Sequence, residues 1–170
     1  MRRSVLAVAT LVALLGAPLP GPARALEPRE DSVGGSWVNG LPCVFTSFDQ
    51  GTGKFVCTGS STWEGSWTGL TRFEVRGVID QATGDIHGTI AETFTGTYLA
   101  DRSTGELTFT ESLTIEARTG ALLIEADIVA GTGDPTFRCS RGHATFTGFA
   151  LPGGAAGLGG WRGAWTHGCP

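Results

Sequence analysis

Three six-residue segments share one pattern, and it constrains the fold more than any other feature of the chain. Asp49-Gln50-Gly51-Thr52-Gly53-Lys54, Asp80-Gln81-Ala82-Thr83-Gly84-Asp85 and Asp101-Arg102-Ser103-Thr104-Gly105-Glu106 all read D-x-x-T-G-x. The Asp side chain accepts hydrogen bonds from the amides that follow it. The Gly takes the left-handed conformation that closes a short hairpin. Arg118-Thr119-Gly120-Ala121 is a tighter version. Four such turns in succession predict an up-and-down antiparallel meander.

Between the turns the residues alternate with period two, as half-buried strands do. From Trp67 to Ile79 one face carries Trp67, Thr71, Phe73, Val75 and Ile79, and the other carries Arg72, Glu74 and Arg76. From Ile86 to Tyr98 the apolar face carries Ile86, Ile90, Glu92, Phe94 and Tyr98. Pairing Asp80 with Asp85 sets Phe73 opposite Glu92 and Val75 opposite Ile90, so the apolar faces of the two strands coincide. Further strands are expected over 107–115, 122–128, 137–149 and 160–168. About eight strands in a meander close readily, because closure removes the exposed edges. The expected fold is therefore all-β, an eight-stranded antiparallel up-and-down barrel, with a β-sandwich as the rival. The 27 Gly fit this, being poor in helices and suited to curved strands. Residues 36–170 form one domain, 26–35 an N-terminal tail, and the Gly-rich stretch 150–160 a surface loop.

Residues 1–25 have the three-part plan of a secretory signal: Arg2-Arg3, an apolar run from Val5 to Leu15, and Ala23-Arg24-Ala25 as a cleavage site. The run is too short to span a bilayer. No later stretch is apolar enough to do so, and no membrane association is expected after signal removal. Loss of Arg2, Arg3 and Arg24 leaves nine bases against sixteen acids, a net charge of −7 rather than −4. Such a chain is a poor nucleic-acid partner, since phosphate recognition needs a basic field.

A secreted location implies that Cys43, Cys57, Cys139 and Cys169 are oxidised. Of the three possible pairings, the local one, Cys43–Cys57 with Cys139–Cys169, is preferred. The first hairpin argues against it: with Asp49 opposite Lys54, Cys43 faces Ser60 and Cys57 faces Thr46, on opposite sides of the sheet. A bulge, or another partner for Cys43, resolves the conflict. No two Cys stand two to four residues apart, and the three His are scattered, so no metal site is expected. There is no G-x-S-x-G and no phosphate loop, and no cofactor is expected.

The second half carries Glu92-Thr93-Phe94-Thr95-Gly96, Ile128-Val129-Ala130-Gly131-Thr132-Gly133, Ser140-Arg141-Gly142-His143-Ala144 and Gly159-Gly160-Trp161-Arg162-Gly163-Ala164-Trp165. With these segments, residues 63–166 resemble the allene-oxide-cyclase and dirigent-like barrel superfamily, and most closely its small secreted actinobacterial members of unassigned role. The chain departs from that pattern at Asp134-Pro135, where the family continues straight to an aromatic residue. The resemblance implies an eight-stranded barrel with an apolar cavity. It also implies cofactor-free chemistry, in which relatives cyclise a reactive lipid-like intermediate or steer a radical coupling.

Glu92 and Glu111 are the candidate catalytic residues, because both stand on apolar faces, where burial raises a carboxyl pKa into the range useful for proton transfer. Reading the third turn like the first two sets Glu111 opposite Gly96, about 13 Å along the strand from Glu92. A two-carboxylate glycosidase site is then not expected. Trp67, Phe73, Phe94 and Tyr98 are the candidate ligand-binding wall. Arg141 and His143 join it if the Cys139–Cys169 bridge sets the last hairpin, which places them on one face with Trp161 and His167. Trp37 stands near the barrel entrance. Two functions follow. One is a secreted barrel that holds a small, mostly apolar molecule, with cofactor-independent isomerase or cyclase activity if it is an enzyme. The other is a non-catalytic extracellular or envelope interaction protein whose barrel is filled by its own Trp and Phe.

Overall fold

The computed structural model describes residues 29–39, 43–151 and 157–169. The expected signal at 1–25 lies outside them. Among the described residues nine strands follow in order: β1 (Arg29–Asn39), β2 (Val44–Phe48), β3 (Lys54–Gly65), β4 (Trp67–Ile79), β5 (Ile86–Tyr98), β6 (Thr104–Ile115), β7 (Ala121–Gly133), β8 (Arg141–Ala150) and β9 (Gly157–His167). All pairings are antiparallel. The sheet runs β1-β9-β8-β7-β6-β5-β4-β3 and closes through β1–β3, which makes an eight-stranded barrel. The ninth strand, β2, continues along the β3 edge where β1 leaves it. β3 pairs with β1 from Gly35↔Gly65 to Asn39↔Ser61, and with β2 from Val44↔Thr58 to Phe48↔Phe55.

Two segments are corrected. Residues 29–35, expected as tail, form most of β1. Val33 and Trp37 are buried, and Asp31 shares their face with period two. The chain from Gly157 to Gly160, expected as loop, belongs to β9.

The first, second and fourth turns behave as the sequence indicates. Asp80 N–H donates to Asp85 O at 2.8 Å, Gly84 N–H donates to Asp80 O at 2.7 Å, and Gly84 has φ 81°. The register is the expected one, with Phe73↔Glu92 and Val75↔Ile90. The third copy does not close its hairpin. There Tyr98 N–H donates to Ser103 O at 2.9 Å, and Arg102 takes the left-handed conformation at φ 61°. Gly105 lies instead inside β6, in a row of glycines across four strands, Gly69↔Gly96, Gly96↔Gly105 and Gly105↔Gly133. A Cβ at 105 would stand 2.5 Å from the Phe137 ring, so packing, not the turn, requires that glycine. Glu111 consequently lies opposite Ile90, not Gly96.

Both disulfides take the local pairing. Cys43–Cys57 and Cys139–Cys169 have Cα–Cα distances of 5.5 and 5.3 Å. The first is made possible by a bulge between Phe45 and Ser47, which sets Phe45 opposite Cys57 and brings Cys43 onto the Cys57 side. The second does not set the register of the last hairpin, because Cys139 sits before β8 at φ 58°. Arg141 therefore pairs with Thr166 and His143 with Ala164, one residue from the expected alignment. That slip turns both side chains outward and brings Ala144 and Phe146 in.

Candidate functional site

The barrel interior divides into two halves. One is filled by aromatic rings. Trp67, Phe94, Phe109, Phe137 and Trp165 are wholly buried there. Trp67 stacks on Trp161 at 4.9 Å and meets Trp165 edge-on at 5.3 Å. At its outer end Tyr98 Oη donates to Asp31 Oδ2 at 2.6 Å, and His167 Nε2 lies 3.0 Å from the same oxygen. Arg29 Nε is 2.9 Å from Asp31 Oδ1. The Tyr98 hydroxyl, aided by His167 and Arg29, holds the Asp31 carboxyl below the usual range against a smaller desolvation effect. Burial, then Asp31, pushes the Tyr98 hydroxyl up to about 12.

The other half holds a cavity of about 110 Å³. Its walls are mostly apolar, with the rings of Trp37, Phe55, Trp63, Phe73 and Phe146 and the aliphatic side chains of β4 to β7. The Phe73 ring lies over Gly59 of the neighbouring strand, where a Cβ would stand 2.4 Å from it. Along the lining Ser61 Oγ donates to Asn39 Oδ1 at 2.8 Å. Both Glu92 and Glu111 line this cavity.

The two carboxyl groups meet because the β5–β6 register places them diagonally, Glu92 opposite Phe109 and Glu111 opposite Ile90. Diagonal neighbours on adjacent strands are within reach of long side chains. The two groups are 7% and 6% exposed, line the same cavity and stand close enough to perturb each other's protonation. Burial raises the Glu92 pKa above the ordinary carboxyl range. It raises Glu111 well above that range, and the adjacent Glu92 charge adds to the effect. The Thr71 hydroxyl is near enough to favour the Glu92 carboxylate, although it makes no well-formed hydrogen bond. Glu111 Oε1 is buried, and no hydroxyl, amide or cationic donor among the described residues reaches it. Among the described residues no Lys, Arg or His lines the cavity.

The expectation that the two Glu stand far apart is thus overturned by the displaced third turn. Of the expected wall, Phe73 lines the cavity, while Trp67, Phe94 and Tyr98 belong to the filled half. Arg141 is exposed. His143 is also outside, 3.0 Å from Asp127 Oδ1 and 2.8 Å from Glu125 Oε2, and these partners, Asp127 first, raise its pKa. Trp63, which the alternation places on one face with Trp67 and Phe73 as core or cavity wall, lines the cavity, and Phe55 and Phe146 add to the expected wall. The chain matches no protein-family model and no curated protein.

Proposed function

We propose that the open half of the barrel holds a small, mostly apolar molecule against the Glu92–Glu111 pair. The supporting observation is a carboxyl pair buried in an apolar cavity with no counter-charge among the described residues. Unpaired buried charge is costly, and a purely structural interior normally pairs or omits it. An apolar cavity with a few convergent polar groups is the usual form of a small-molecule site. At about 110 Å³ the space approaches that of an engineered 150 Å³ cavity that binds benzene. It therefore suits a single ring or a short chain, with any remainder leaving through the mouth.

The pair can also transfer protons. One carboxyl donates while its partner accepts, which is the requirement of a cofactor-independent isomerase or cyclase. In that role Glu92 and Glu111 are the catalytic residues, and Phe73, with Trp37 and Trp63, shapes the bound molecule. The resemblance of residues 63–166 to allene-oxide-cyclase and dirigent-like barrels supports the same reading. The signal-like segment 1–25 and the two disulfides support a secreted protein. The second reading, a non-catalytic extracellular interaction protein, draws support only from the aromatic filling of the other half.

Native mass spectrometry of the protein isolated from its own host tests the proposal. A retained small molecule that is lost in Glu92→Gln is the expected result. A ligand that stays bound in Glu92→Gln removes Glu92 from the site. Host-derived protein that carries nothing, and takes up no small apolar probe, favours the interaction protein.

A further inference from the structure

We infer that the polar end of the molecule held in the open half is a cationic nitrogen, so that the site takes a small apolar ammonium. This rests on the reading of the cavity as a binding site and adds the class of ligand.

Charge is the first ground. Among the described lining residues the two carboxyls are the only ionisable side chains, and no Lys, Arg or His stands with them there. Two adjacent carboxyls resist losing both protons, and the loss of one leaves a single negative charge shared by the pair. One ammonium balances that charge. Its three N–H groups can reach both carboxyls, including the Glu111 Oε1 that otherwise has no external donor. An anion would be repelled. A neutral hydrocarbon would leave Glu111 Oε1 bare, and a neutral alcohol would satisfy the oxygen but not the charge.

The walls are the second ground. Trp37, Phe55, Trp63, Phe73 and Phe146 surround the space with aromatic rings. Ring faces attract cations, most strongly where water is excluded. The same walls disfavour a bare metal ion, which would lose its hydration shell and gain only two carboxyls. Among the described residues no group of three metal-ligating side chains exists. A ring-sized organic cation uses both features, its apolar body against the walls and its nitrogen at the pair.

The test titrates the disulfide-intact protein with benzylammonium, benzyl alcohol and phenylacetate. Calorimetry and the fluorescence of Trp37 and Trp63 report binding. Benzylammonium should bind roughly tenfold or more tighter than benzyl alcohol, and phenylacetate weakest. Glu111→Gln and Glu92→Gln should each weaken benzylammonium on the order of ten- to hundredfold, with little change for benzyl alcohol. Thermal melting of both variants checks that they are folded. Equal affinity for the amine and the alcohol, or an amine affinity unchanged in both folded variants, overturns the inference and leaves the cavity as a binding site. Binding of none of the three probes overturns the inference and counts against the cavity as well.

Discussion

The two halves of the barrel treat an inward-facing carboxyl in opposite ways. In the filled half Asp31 receives the Tyr98 hydroxyl, His167 and Arg29, and its pKa falls. In the open half Glu92 and Glu111 have chiefly each other, and their pKa values rise. The same strands, β4 and β5 among them, run through both halves, so the difference lies in side chains and not in architecture. A carboxylate satisfied by donors ties strands together. An unsatisfied pair facing space reduces stability and is ready for a ligand. The filled half therefore serves as the rigid base on which the open half is held.

The largest expected effect tests the role of the filled half. Trp67→Ala removes a ring in contact with Trp63, Phe94, Trp161 and Trp165, and should cost about 3–5 kcal/mol by denaturant unfolding. Phe73→Ala, at the cavity, should cost clearly less, because that ring already borders empty space. Equal costs would mean that the two halves share the packing equally.

Glu111→Gln should change stability in the other direction, by about 1–3 kcal/mol of gain near neutral pH. A carboxyl whose folded pKa is raised destabilises the fold as pH rises from the ordinary carboxyl range towards the raised value. The gain should therefore vanish in acid, where both carboxyls are protonated in either state. A loss of stability at neutral pH would show that the Glu pair is structural.

Tyr98→Phe is the smaller change, costing about 1 kcal/mol at neutral pH. Asp31 has a lowered folded pKa, so its contribution is present above the ordinary carboxyl range and is lost as pH falls. The variant should accordingly show a weaker loss of stability in acid than the parent. Acid thus acts in opposite senses on the two halves, and pH-dependent melting of Glu111→Gln and Tyr98→Phe separates them.

Most of the barrel can be read from the sequence, because turns and alternation are local signals. The second turn alone sets Phe73 against Glu92, and the structure has that pair. The errors lie where distant packing overrides a local signal. Gly105 has the sequence of a turn glycine but is needed in a strand beneath Phe137, which arrives from the β7–β8 connection. That displacement brings Glu111 from a distant position into contact with Glu92. Arg141 and His143 follow the same lesson. Their orientation depends on one residue, Cys139, leaving the ladder. The acid pair was visible as two acids on apolar faces. Their contact was not, since it depends on the register of a single hairpin.

The central claim is that Glu92 and Glu111 share a proton at the floor of an apolar cavity, and the most direct measurement is a pH titration of their side-chain carboxyl carbons by NMR. Glu111 is expected to stay protonated well above the ordinary carboxyl range, with the Glu92 and Glu111 signals moving together through both steps. Two independent titrations, both in the range of exposed Glu, would contradict the claim.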